Sequence, residues 1–358
     1  MVPLAEILRR HWPAYARKFG ARLLPSHRRA VAAILSCRTP ALGGQLYQCE
    51  CGQQHFAYHS CNHRACPRCG HAKTTEWLER QRRRLLPVPY YLVTFTVPEE
   101  LRSLIRSHQK VLYALLLRES AGALQDVARD HKDLGAQLGL LSVLQTWTRD
   151  LRYHPHVHCV APGGGLSADG LRWVRPKQPD YFLPQKVLAL RFGARLKQAL
   201  QQQHPQLFVQ IARAVWSLNW VADVQPVGRG EPALKYLAAY VYRTAFSAER
   251  ILADDGTHVT FGWRDNQGRN RTTRLAAESF LHRFLQHVLP QGFPRVRHFG
   301  WLSAAAKSKF ERIQALLDWR APLSQPSTLN PQPVLCPRCH KPMRLVGRLP
   351  RAPPGHTP

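Results

Sequence analysis

Three histidines alternate along the segment Tyr153-His154-Pro155-His156-Val157-His158-Cys159-Val160. Side chains at i, i+2 and i+4 of a β-strand share one face, so a strand over residues 153–160 sets three imidazoles side by side. That is a costly use of a sheet face unless something binds there, and imidazole is the commonest protein ligand for metal ions. The segment therefore calls for a sheet with one face given to chemistry. Pro155 brings no ladder N–H, which favours an edge or a bulge at that point.

The surrounding pattern supplies the rest of such a sheet. Residues 90–97 (Tyr-Tyr-Leu-Val-Thr-Phe-Thr-Val) are aromatic and β-branched, and residues 138–148 and 214–223 read as further strands. Helical periodicity covers 1–35, 74–86, 99–130, 184–203, 231–246 and 276–288, with hairpin signals at Asp255-Gly256 and Gln267-Gly268. Strands interrupted by helices without regular βαβ units indicate the α+β class. The organisation expected is a helical arm (1–36), a cysteine-rich module with a basic helix (37–86), a main domain (87–302), a helix (303–320), and a linker with a Cys-x-x-Cys tail (321–358).

Six of nine cysteines fall between residues 37 and 69. Clustered thiols in a reducing compartment more often hold metal than form disulfides. Cys66-Pro67-Arg68-Cys69 is a turn whose two thiolates can converge on one tetrahedral Zn²⁺. Cys49 and Cys51 are expected as its opposing pair, leaving Cys37 and Cys61 to close a second site with His59, His63 or His71. Cys336 and Cys339 form half of a further site whose other half is not evident. A closed zinc site has no open position for substrate, so the module reads as structural and DNA-positioning.

The chain of 358 residues carries 51 Lys+Arg against 22 Asp+Glu, a formal charge of +29, with forty Arg among them. Guanidinium matches phosphate geometry, so the balance points to a polyanion, with nucleic acid first. Arg80, Arg82, Arg83 and Arg84, in the helix behind the cysteines, are candidate phosphate contacts. No apolar run is long enough to span a bilayer, and Met1-Val2-Pro3-Leu4 leads to Arg9-Arg10 without an apolar signal core. A cytoplasmic protein is expected.

A second chemical motif stands some eighty residues past the histidines. Tyr236 and Tyr240 lie at i and i+4 of a helix opened by Glu231-Pro232, one turn apart on one face. Both phenols could reach one centre, and Lys235 and Arg243 flank them as candidate phosphate contacts. Neutral imidazoles suit several metals, and with a phosphate substrate Mg²⁺ or Mn²⁺ fits.

Together these blocks resemble the insertion-sequence ninety-one family of rolling-circle transposases, within the HUH endonuclease group of the two-tyrosine type. They are Cys37-Arg38-Thr39-Pro40-Ala41-Leu42-Gly43-Gly44, Tyr58-His59-Ser60-Cys61 with Cys66-Pro67-Arg68-Cys69, the histidine segment with Gly163-Gly164-Gly165, Lys235-Tyr236-Leu237-Ala238-Ala239-Tyr240, His287-Val288-Leu289-Pro290-Gln291-Gly292-Phe293, and Arg297-His298-Phe299-Gly300. They span residues 37–301. The resemblance implies a bacterial, nucleoid-associated protein, with an antiparallel sheet that has the histidines on a central strand and an N-terminal zinc module. It also implies His156 and His158 as ligands of a catalytic Mg²⁺ or Mn²⁺, with Gln145 or His154 as third ligand. Tyr236 and Tyr240 are then successive nucleophiles on single-stranded transposon ends and a target site. A non-catalytic zinc-ribbon DNA-binding protein is the competing expectation, and neither reading speaks to oligomeric state.

Overall fold

The computed structural model describes residues 3–178, 181–241, 247–320 and 333–352, apart from the side chains of Ala239, Tyr240 and Ala248. Arg243 and the proline-rich linker at 321–332 therefore lie outside the described residues. The chain forms two interleaved compact units rather than consecutive ones. One comprises Lys73–Val241 and Leu289–Ala321; the other comprises Met1–Ala72, Tyr242–Val288 and Pro322–Pro358.

The first unit is built on a five-stranded antiparallel sheet. Its order is Val296–Gly300, Gly139–Trp147, Tyr153–Pro162, Tyr90–Thr96, Val221–Pro226, so the histidine strand is central. Val157, Cys159 and Ala161 alternate onto one face and join the hydrophobic core with Phe95, Leu144 and Phe192. The helices Gln109–Arg129 and Gln185–Gln203 pack on the sheet through this core. The even-numbered His156 and His158 consequently face the other way, where the helix Glu231–Val241 meets the strand Gly139–Trp147. The α+β, antiparallel expectation is met.

Pro155 is accommodated by where the ladders end. Pairing with Tyr90–Thr96 stops at Thr96↔His156, and the register against Gly139–Trp147 shifts between Gln145 and Trp147. Pro155 thus sits at a bulge, where its missing N–H breaks no regular rung.

Several elements differ from the sequence reading. The stretch expected as a strand over 214–223 is a 3₁₀ turn, Arg213–Ser217, followed by a strand only from Val221. Trp216 stacks on both Phe208 and Trp220, so these aromatics bury their rings on one another instead of alternating across a sheet. The basic helix runs His71–Arg82 and stops four residues early. Leu86 precedes Pro87, which disfavours helical geometry, and the Leu86 N–H donates instead to the Tyr90 hydroxyl at 2.8 Å. The run before Trp301, unassigned from sequence, contains the edge strand Val296–Gly300.

In the second unit, the helices Leu4–Phe19 and Pro25–Ser36 pack together, and Leu4–Phe19 also contacts the helix Ala277–Gln286. The buried Asp254 carboxylate accepts from His11 at 3.0 Å and pairs with Arg10 at 3.1 Å. A separate three-stranded sheet has the order Arg344–Leu349, Gly44–Gln48, Gln54–Tyr58. The C-terminal segment expected as a trailing tail is therefore an edge strand of the cysteine-rich module.

Candidate active site

Cross-strand register assembles the histidine cluster. Gln145 lies opposite His156, and His158 lies between Val143 and Thr94. His156 Nε2 and His158 Nε2 are 3.1 Å apart, and Gln145 Oε1 is 3.2 Å from His158 Nε2. His156 and His158 are only 8% and 6% exposed. Burial lowers both imidazole pKa values, His158 to about 4 and His156 well below the ordinary range, where the neighbouring His158 adds to the effect. Both rings are therefore neutral at pH 7, the form that ligates metal.

The hydrogen bonds assign the tautomer of His156. His156 Nδ1 donates to the His154 carbonyl at 2.7 Å, so its Nε2 carries the lone pair. The Gln145 amide donates to the Trp147 carbonyl at 3.1 Å, which aims Oε1 at the histidines. His158 Nδ1 meets the Thr94 hydroxyl at 2.9 Å, and that hydroxyl can donate or accept. When Thr94 accepts, His158 Nε2 also presents a lone pair. Three acceptors then converge with no donor between them, a donor set that suits a divalent cation.

Of the two candidates for a third ligand, Gln145 is the one that converges. The His154 ring centroid is 5.2 Å from that of His156. Among the described residues, only two cysteine quartets bring three or more His, Cys, Asp or Glu ligand atoms within 4.8 Å of one another, so the three histidines do not. The bulge formed by His154 and Pro155 breaks the alternation that would have aligned His154 with the other two.

Tyr236 lies over this cluster. Its ring is 5.8 Å from that of His158, edge to face at 88°, and it is 41% exposed. The helix places it there because Ala233, Leu234, Leu237 and Ala238 are buried, leaving Lys235 and Tyr236 on the open side. Tyr240 occupies the next turn of the same helix; its side chain is outside the described residues. Lys235 pairs with Glu231 at 3.0 Å, and Glu231 also accepts from Arg82 at 2.9 Å. This second link was not legible in sequence, since Arg82 and Glu231 are 149 residues apart.

The basic cluster divides by role. Arg82 is paired with both Glu79 and Glu231. Arg84 donates to the Leu302 carbonyl at 2.6 Å and lies over the Phe310 ring. Arg80 is exposed and pairs with Glu76, and Arg83 is exposed. Arg80 and Arg83 are thus the exposed members of the cluster, while Arg82 and Arg84 tie elements of the fold together.

The cysteines group differently from the sequence expectation. Cys37 and Cys61 meet Cys66 and Cys69, with Cys37–Cys69 at 3.4 Å and Cys61–Cys69 at 3.6 Å. Cys49 and Cys51 meet Cys336 and Cys339 instead of the Cys66 turn. No histidine is needed to complete the first quartet: His63 Nδ1 accepts the Ala65 N–H at 3.1 Å and shapes the turn leading to Cys66. Within that quartet a hydrogen bond from Cys66 holds the Cys61 thiol down to about 5, and the same contact raises Cys66. Four thiols brought this close, with burial raising Cys37, suit a thiophilic cation that would ionise them together.

Comparisons with known proteins show what the chain is similar to. A family model described as "Transposase zinc-binding domain" matches residues 7–97, and one described as "Putative transposase" matches residues 139–309. "Putative transposase y4qJ" of Sinorhizobium fredii is 35% identical over 340 residues, covering 89% of this chain and 85% of that protein. The transposase for insertion sequence element IS801 of Pseudomonas savastanoi pv. phaseolicola is 27% identical over 292 residues, covering 76% and 69%. No solved structure matches. Fold, cysteine clusters and relatives define a DNA-processing transposase with a structural zinc-binding domain. The chain belongs to the insertion-sequence ninety-one family of transposases. No helix among the described residues is long and apolar enough to cross a membrane.

Proposed function

We propose that this transposase nicks and rejoins single-stranded DNA at insertion-sequence ends by tyrosine attack. The observation that carries the proposal is the Tyr236 ring, 5.8 Å from His158, over a buried cluster of converging acceptors. A Mg²⁺ or Mn²⁺ ion held by His156, His158 and Gln145 would polarise the scissile phosphate as a Lewis acid. The Tyr236 oxygen attacks phosphorus, the bond to the 3′-oxygen breaks, and the phenolic proton leaves with the departing 3′-OH. The product is a 5′-phosphotyrosine, and because one phosphodiester has been exchanged for another, rejoining needs no nucleotide cofactor. Tyr240 carries the second transfer. Glu231 restrains Lys235 beside Tyr236, where its ammonium is available to phosphate. Arg80 and Arg83 are the candidate contacts to the DNA backbone, whose neutralisation makes binding salt-dependent.

The test uses a labelled single-stranded oligonucleotide carrying an element end, with zinc-replete protein and Mn²⁺. A covalent adduct that resists denaturant is expected from the wild type and absent from the Tyr236→Phe/Tyr240→Phe double variant. An adduct that persists in the double variant would sink the tyrosine assignment. DNA binding with no adduct from the wild type would favour a non-catalytic zinc-ribbon protein.

A further inference from the structure

We infer that Cys49, Cys51, Cys336 and Cys339 form a second structural zinc site, which clasps the C-terminal segment onto the N-terminal hairpin. The matched zinc-binding domain ends at residue 97 and contains only half of this quartet. The inference does not depend on the tyrosine chemistry.

The geometry is that of a tetrathiolate. Cys49–Cys339, Cys51–Cys336 and Cys51–Cys339 sulfurs are 3.4, 3.6 and 3.7 Å apart. Tetrahedral Zn–S bonds of about 2.3 Å place sulfurs about 3.8 Å apart, whereas a disulfide needs about 2.05 Å. Each half is a preformed knuckle. In the N-terminal half the Cys49 N–H donates to Gln53 O at 2.9 Å and Gly52 N–H to Cys49 O at 2.9 Å, with Gly52 at φ +86°. The C-terminal half repeats the Cys-Pro-Arg-Cys sequence of the Cys66 turn. There the Cys336 N–H donates to Lys341 O and the His340 N–H to Cys336 O, both at 2.9 Å.

The tail continues directly from its knuckle into the sheet. Arg344–Leu349 pairs antiparallel with Gly44–Gln48, from Gln48↔Arg344 to Gly44↔Leu349. A Cβ on Gly43 would stand 2.5 Å from the Leu349 carbonyl oxygen, so the glycine is required for this approach. Yet the apolar core beneath is small: Cys49, Cys336 and Met343, with Tyr47, Val334 and Cys339 against it. So small a core gives the C-terminal segment little apolar burial of its own. A metal bound by all four thiolates supplies the missing stabilisation, as in small domains that fold only with their zinc.

The experiment is metal analysis of the full chain purified with zinc, combined with alkylation mapped by mass spectrometry. Two zinc ions per chain are expected, one for each quartet, falling to one in Cys336→Ser/Cys339→Ser. In that variant Cys51 becomes alkylated while Cys37, Cys61, Cys66 and Cys69 stay protected. One zinc in the wild type, or two in the variant, overturns the proposal. Should the variant not fold, the wild type still decides. Cys51 is exposed and Cys339 partly so; both must resist alkylation until zinc is chelated and then react together with Cys49 and Cys336. Alkylation of Cys51 in the zinc-loaded protein, or disulfides among the four, overturns it.

Discussion

Replacing Thr94 by Val tests whether the histidine cluster is a cation site with a hydroxyl-set tautomer. The Thr94 hydroxyl is 2.9 Å from His158 Nδ1, in a ring that is almost wholly buried. Valine fills nearly the same volume but offers no hydrogen bond, so Nδ1 loses this partner in either tautomer. Leaving a buried polar group unpaired costs about 1–3 kcal/mol, which sets the expected loss in urea denaturation. Losing an outer partner of a ligating histidine typically weakens metal affinity about 10–100-fold, equivalent to about 1.4–2.7 kcal/mol. Manganese titration of zinc-replete protein, followed by electron paramagnetic resonance, reads that loss without reference to DNA or turnover. Thr94→Ser keeps the hydroxyl and should restore most of the affinity. A Val variant that binds Mn²⁺ within about twofold of the wild type would refute the argument, since a ligand correctly oriented by Thr94 cannot be indifferent to its removal.

Other predictions follow from the same geometry. His158 stays neutral in the fold down to about pH 4, whereas an unfolded histidine takes up a proton near pH 6.5. Its contribution is present above about pH 6.5 and is lost as pH falls towards 4; His158→Gln should flatten that part of the denaturation profile, and an unchanged slope would contradict it. Gly300 has φ +60°, and a Cβ there would lie 1.8 Å from the Leu138 carbonyl oxygen, so Gly300→Ala should cost about 2–5 kcal/mol in denaturant melts from left-handed strain plus overpacking. Gly256, at φ +91° with nothing within 4 Å of its added Cβ, should cost only the strain. Chelating zinc should abolish amide-exchange protection in Gly44–Gln48 and Arg344–Leu349 while Tyr153–Pro162 keeps its own; equal loss in both sheets would argue against zinc as a local support.

Much of the candidate site's local geometry was legible along the chain because it depends on backbone periodicity. Alternation predicts that His156 and His158 share a strand face, and the i, i+4 rule predicts that Tyr236 and Tyr240 share a helix face. Both depend on backbone geometry within a few residues. The strand 90–97, the helix 184–203 and the central position of the histidines were legible for the same reason or through the family resemblance. Where aromatics could satisfy one another, as Trp216 and Trp220 do, apolar content alone gave the wrong element.

Other features were decided only by the tertiary structure. Strand register brings Thr94 and Gln145 to His158, and no spacing rule encodes a pairing across separate strands. The bulge at His154 and Pro155 takes a third imidazole out of the cluster that simple alternation would have kept. The cysteines make the point most clearly. Sequence spacing says which two thiols form a knuckle, but any knuckle is chemically compatible with any other. Closing a loop costs only slightly more as it lengthens, so proximity along the chain gave Cys49 and Cys51 no strong preference for Cys66 and Cys69. Backbone pairing between Gly44–Gln48 and Arg344–Leu349 selects their partners from the far end of the chain.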